Sequence, residues 1–213
     1  MKDRMLKRLK AVFYILLPLI GGGWAGVSCS EDDATIDEFE NWQVRNDIFF
    51  ASLEDSLANG KGTGKKYKVF SKDPAEGTGA QTDYIYVKVI PTGYETTDTV
   101  SPLFNDSVRV SYQGRLIPSD ETKNPGGKIF DGTVYGKYDV RTNATVCFKV
   151  SGMLKGFTTA LLHMHRGDTW RVYIPYDLGY GSASQTSIPA YSTLIFDMTL
   201  YDIAEEGKAF EKF

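Results

Sequence analysis

Hydrophobic and polar positions alternate in short runs along the second half of the chain. Val108, Val110 and Tyr112 alternate with Arg109 and Ser111; Val146, Phe148 and Val150 alternate with Cys147 and Lys149. Trp170 to Ile174 and Leu194 to Ile203 carry the same pattern in β-branched and aromatic residues. A period of two marks a strand with one buried face, so Tyr112 is expected to point inward. Ile129-Phe130-Asp131 is a shorter return to apolar sequence. Leu154, Phe157, Leu161 and Met164 recur at helical spacing and Gly167 follows, which predicts one helix with a single buried face. Strand-rich sequence with one short helix argues an α+β fold, a sheet wrapped on that helix. The connection between the last two strands carries Tyr176, Leu178, Tyr180, Ile188 and Tyr191. That is too much apolar surface to leave in water, so the loop folds back onto the domain or walls a pocket.

The first half is patterned differently. Thr35 with Glu38 reads as a capping box, and Phe39, Trp42, Phe49, Leu53 and Leu57 follow at near-helical spacing up to Asn59-Gly60. This predicts an amphipathic helix over about 36–58, packed on the domain or, through Trp42 and Phe49-Phe50, offered to a partner. Tyr67–Phe70 and Tyr84–Ile90 alternate as strands, separated by a Gly/Pro/Asp-rich turn. They are expected to pair as a hairpin or to extend the main sheet at an edge. Residues 117–128 (IPSDETKNPGGK) form a long polar loop.

Residues 1–28 stand apart from any fold. Lys2, Arg4, Lys7, Arg8 and Lys10 form a basic head, and Ala11 to Gly26 is an uncharged apolar run. Ser28 precedes Cys29, which completes the pattern of an export signal. The run is too short and too rich in glycine to favour an uncleaved membrane anchor. Cys29 stands where a bacterial lipoprotein carries its lipidated cysteine, although Gly26 occupies the position usually held by Leu. Ser30-Glu31-Asp32-Asp33 resembles the acidic export tag of some Gram-negative surface lipoproteins, or else is a solvated linker. The expected organisation is a signal peptide over 1–28, an acidic linker over 29–34, an extension over 35–103, the main domain over 104–204 and a tail over 205–213. The expected location is the cell envelope, as an outer-membrane lipoprotein exposed at the surface.

Charge and cysteine usage narrow the classes. The full chain has 24 Lys+Arg and 27 Asp+Glu; loss of residues 1–28 leaves 19 and 26, a formal net charge of −7. An acidic chain without a basic stripe argues against nucleic acid and against polybasic membrane attachment, leaving a lipid on Cys29 as the membrane contact. With Cys29 lipidated, Cys147 remains alone, and beside Phe148 in a strand it reads as a small buried hydrophobe. His163 and His165 are the only histidines, and at i, i+2 on a helix they would not share a face, so no metal site is expected. No phosphate-cradling loop and no nucleophile motif is present.

Several motifs in one order carry a resemblance over about 104–204. They are VRVSYQGRL (108–116), IFDGT (129–133), CFKVSGMLKGFTTALLHMHRGD (147–168), then IPYDLGYG and IP ahead of STLIFDMTLYDI. This segment resembles the FKBP family of peptidyl-prolyl cis/trans isomerases. The resemblance implies an antiparallel sheet curled around one short helix, with the pocket between them, and no cofactor. It implies that Tyr112, Phe130, Asp131 and Tyr180 carry the catalytic work. Phe148, Met153, Leu154, Phe157, Ile188 and Phe196 would hold substrate, a proline-containing polypeptide. The Tyr180 hydroxyl and the Leu154 backbone N–H would donate to bound carbonyls, and Asp131 would orient Tyr112 or a nearby arginine, with Arg141 as candidate. Some positions depart from the family pattern. Phe157 replaces the pocket-floor Trp, Thr158-Thr159 replaces a Glu pair, and Gln185 is nearest to where some members carry a His. Two functions follow: an isomerase that assists folding of exported proteins, or a binding module that kept the fold and lost efficient catalysis. Oligomeric state is not encoded in any pattern found.

Overall fold

The structure is a computed structural model that describes residues 37–58, 64–120 and 124–210. Cys29, the acidic linker and Thr35 lie outside the described residues. Seven strands form one antiparallel sheet: β1 (Gly64–Lys68), β2 (Tyr84–Val89), β3 (Ser107–Leu116), β4 (Ile129–Gly132), β5 (Val146–Lys149), β6 (Thr169–Ile174) and β7 (Leu194–Ala204). Their order is β1-β2-β6-β7-β3-β4, and β5 also pairs with β3. The two short strands share one edge: β5 pairs with Ser107–Val110 and β4 with Gln113–Arg115. Both sequence expectations for the first two strands hold together, since β1 and β2 form a hairpin and β2 also pairs with β6.

The period-two pattern becomes two faces. On one face Phe196, Met198 and Leu200 of β7 lie with Trp170, Val172 and Ile174 of β6, and with Val110, Tyr112 and Leu116 of β3. These residues and helix α2 (Lys155–Leu161) form the core, in which Phe157, Ala160, Leu161 and Met164 are almost wholly buried. Helix and sheet meet at Gly156, where a Cβ would stand 2.3 Å from Cγ2 of Ile174. Only glycine permits that approach. A bulge opposite Arg109 and Val110 leaves Tyr201 unmatched and returns Ile203 to the core face beside Val108.

Helix α1 (Trp42–Leu53) continues as a π-turn over Glu54–Ala58. It begins later than its sequence suggests. Residues 38–41 form a turn and Asn41 adopts a left-handed backbone with φ of 53°. Its buried face is Trp42, Asn46, Phe50 and Leu53: Trp42 and Leu53 belong to the stripe read from apolar spacing, whereas Phe39, Phe49 and Leu57 of that stripe are only partly buried. A buried amide at position 46 is invisible to a count of hydrophobic residues. Phe50 meets Tyr86 of β2 at 5.2 Å and Phe49 meets Tyr173 of β6 at 6.1 Å, so α1 covers the sheet face opposite α2.

Two further expectations are corrected. Cys147 is exposed, because the alternation of β5 on an edge turns Val146 and Phe148 inward and Cys147 out. His163 and His165 lie beyond the last turn of α2, and His163 stacks on Tyr67 of β1 at 4.2 Å.

Candidate active site

The aromatic positions converge where α2 faces β3, β5 and β7. Phe157, 2 % exposed, is the floor. Three rings stand nearly perpendicular or steeply tilted around it: Phe196 at 5.1 Å, Tyr112 at 6.0 Å and Phe148 at 6.4 Å. Edge-to-face packing of this kind places the positive ring edge on a negative face and adds about 0.5–1.5 kcal/mol per pair beyond burial. Phe130 extends the wall from β4, edge-on to Phe196 at 5.6 Å. Ile188 is buried in the same cluster, and Met153 and Leu154 pack against it from the segment leading into α2.

The polar groups sit on the rim. The Tyr112 hydroxyl donates to Oδ2 of Asp131 at 2.8 Å, and Oδ1 of Asp131 accepts the Gly132 N–H at 2.8 Å. Burial, reinforced by the neighbouring carboxylate, pushes the Tyr112 hydroxyl above its ordinary range, so it stays a neutral donor. Tyr180 is 38 % exposed, and its hydroxyl makes no hydrogen bond among the described residues. The Leu154 N–H likewise has no acceptor among them, as expected at the start of a helix. The site is thus an apolar cage with two uncommitted donors and one fixed Tyr–Asp pair. Among the described residues no three His, Cys, Asp or Glu side chains group as a metal site.

All ten predicted positions meet here, and Arg141 does not. Its guanidinium points to the Gly93 carbonyl at 3.5 Å and lines a cavity of about 370 Å³ on the opposite sheet face. Residues 138–141 fold over that face, where the Tyr138 hydroxyl meets Thr199 and Ser111, and this carries Arg141 away from Asp131. Two site residues escaped the sequence reading. Gly114 of β3 lets Phe130 and Phe196 close over the strand: a Cβ there would lie 2.7 Å from both rings. A glycine inside a strand pattern is the available signal for such an approach. Thr133 pins the backbone of Tyr112, its Oγ1 accepting the Tyr112 N–H at 3.1 Å.

An antiparallel sheet wrapped on one short helix, with an aromatic cage between them, is the architecture of prolyl-isomerase-type domains. Residues 99–201 match the family described as FKBP-type peptidyl-prolyl cis-trans isomerase, and the chain belongs to that family through this domain. It is 38 % identical over 109 residues to the macrophage infectivity potentiator of Trypanosoma cruzi, covering 51 % of this chain and 48 % of that protein. It is 30 % identical over 160 residues to the FKBP-type isomerase FkpA of Escherichia coli K12, covering 75 % of this chain and 52 % of that protein. The chain therefore spans about half the length of the curated relatives it matches. The crystal structure of Escherichia coli FkpA superposes with a TM-score of 0.54 at 24 % identity, over 79 % of this chain and 64 % of that one, which shows a shared fold.

Proposed function

We propose that the cage catalyses cis/trans isomerisation of X-Pro bonds in polypeptides. The observation that carries this reading is the Phe157 floor ringed by Tyr112, Phe148 and Phe196, with the free Tyr180 hydroxyl and Leu154 N–H at its edge. Rotation is slow because resonance keeps the amide planar. The twisted amide has lost that resonance and its charge separation, so an apolar cage disfavours it less than it disfavours the planar form. Proline fills the space over Phe157. Tyr180 and the Leu154 N–H hold the flanking carbonyls while the bond turns, and Asp131 keeps the Tyr112 hydroxyl directed along the rim. No covalent step is required.

The basic and apolar N-terminal segment and Cys29 support a place in the cell envelope, with the isomerase held by a lipid and working on exported chains. The test of activity is the cis-to-trans rate of a short X-Pro peptide with wild type, Phe130→Ala and Tyr180→Phe, all verified as folded. Acceleration by wild type that falls in both variants is expected. A folded wild type that leaves the uncatalysed rate unchanged overturns it, and turns attention to the Phe157 floor and a role in binding alone. For the anchor, Cys29→Ala is expected to abolish incorporation of labelled fatty acid; incorporation that persists rejects lipidation at this residue.

A further inference from the structure

The wall of the cage is made by residues 175–193, which carry Tyr180 and Ile188 between β6 and β7. Long loops of this kind sample several conformations unless tied down. Here the tie comes from outside the family-matched segment, from α1. Trp42 Nε1 donates to Ser192 Oγ at 2.8 Å, and that hydroxyl donates on to the Pro189 carbonyl at 2.7 Å. Asn46, wholly buried, accepts the Thr193 N–H on Oδ1 at 2.7 Å and closes back on its own helix through Nδ2 to the Trp42 carbonyl at 2.8 Å. At the other end of the loop, Gln43 and Asp47 face the Tyr176 hydroxyl. Arg45 reaches the Pro118 and Ser119 carbonyls where the chain leaves β3.

The loop held this way is not relaxed. Tyr191 adopts a left-handed backbone with φ of 59°, unusual for an aromatic residue, and bonds the Gly181 carbonyl through its N–H at 2.9 Å. Its ring stands edge-on to Tyr176 at 5.4 Å. The bond from Tyr191 to Gly181 ties the end gripped by α1 directly to the residue after Tyr180. Burying a wholly desolvated amide in a helix serves no packing purpose that Leu would not serve better, so Asn46 is explained by its partner at Thr193.

We infer that α1 is the positioning element of the site. Trp42 and Asn46 set the conformation of the 175–193 wall, and with it the aim of the Tyr180 hydroxyl over the cage. The inference rests on the isomerase reading for its consequence in catalysis, while the coupling of α1 to the wall stands separately. It is tested in the full chain with Asn46→Ala and Trp42→Phe, the second keeping an aromatic ring while losing the indole N–H and the fused five-membered ring. Val44→Ala, at an exposed position of the same helix, is the control.

Hydrogen exchange of residues 176–193 is measured beside peptide kinetics. Losing the buried bond to Thr193 or to Ser192 is expected to speed exchange in the loop about tenfold, with exchange of β3 and β7 unchanged. The same variants are expected to lower kcat by about tenfold with a smaller change in KM, and Val44→Ala to change neither. Unchanged loop exchange in folded Asn46→Ala and Trp42→Phe overturns the inference. If wild type proves inactive, the isomerase reading falls and the exchange result still decides the coupling. If exchange rises while kcat holds in an active enzyme, α1 shapes the loop without positioning the reaction, and the inference fails in that part.

Discussion

Along β7, Phe196, Met198 and Leu200 join the core with α2, whereas the alternating Asp197, Thr199 and Tyr201 enter a network of ions and hydroxyls on the opposite face. Both faces are buried, and they are buried by different means. The α2 face is apolar and keeps two donors uncommitted at the rim beside the fixed Tyr112–Asp131 pair. On the other face the central carboxylate and hydroxyls are bonded to one another, and only Arg115 Nε and Asp202 Oδ2 are buried there without a hydrogen bond among the described residues. Arg171 grips Asp197 through Nε at 2.6 Å and Nη2 at 2.8 Å, and Arg115 adds a third bond at 3.1 Å. Thr169 meets Thr199 at 2.9 Å, and the Tyr201 hydroxyl donates to the Val140 carbonyl at 2.7 Å. A site that works by desolvation needs open donors beside apolar walls. A scaffold needs its polar groups satisfied by one another. The sheet separates these needs by parity alone.

Breaking the ionic face carries the largest expected effect. Asp197→Ala leaves two guanidinium groups facing each other without their carboxylate, and its cost in urea unfolding is expected to be about 3 kcal/mol. Asp197→Asn keeps the shape, so a loss as large as that of the alanine variant would show that the charge rather than the shape is what matters. Gly114→Ala attacks the apolar face next. The new methyl meets Phe130 and Phe196, and the expected cost is about 1–3 kcal/mol of overpacking together with most of the isomerase activity. Full activity would mean the two rings have room to separate. Tyr112→Phe is milder for the fold, since its partner Asp131 is exposed; the stability change is expected to be about 1 kcal/mol or less, with turnover reduced about tenfold. An unchanged rate would remove the Tyr112–Asp131 pair from the mechanism.

Much of this contrast could be read from sequence, and the unread part has a common cause. Alternation of Val108/Val110/Tyr112 and of Trp170–Ile174 announces strands because side-chain parity is a local property. The ten candidate positions were proposed from short motifs, each of which is local information. What escaped depends on contacts between distant segments. Asn46 looks like an ordinary polar residue in a helix until Thr193 is placed beside it. Arg141 seemed available to Asp131 because only the folded course of residues 138–141 shows that it crosses to the other face. Cys147 seemed buried because a strand pattern does not reveal which strands lie at an edge. The start of α1 was misplaced because a capping signature at Thr35 cannot report the left-handed turn at Asn41.

The smallest expected effects test the contrast through its tyrosines and its edge. Cys147→Ser should change stability by less than about 0.5 kcal/mol, and native Cys147 should react with a thiol reagent as fast as a free peptide thiol; protection would move it inward. Titration separates the faces more finely. Burial pushes Tyr138 up to about 12 on the ionic face, and burial with Glu54 does the same for Tyr86 under α1. A raised folded-state value means the unfolded chain releases its phenolic protons first. Stability from these groups is therefore complete below about pH 10 and is lost as pH rises towards 12. Tyr138→Phe removes one titrating group, so its stability relative to wild type is expected to improve across that interval while its isomerase rate is unchanged at neutral pH. A parallel decline of both proteins would mean that the Tyr138 hydroxyl ionises as readily in the fold as in water, and that the network with Ser111 and Thr199 does not exclude solvent as the core face does.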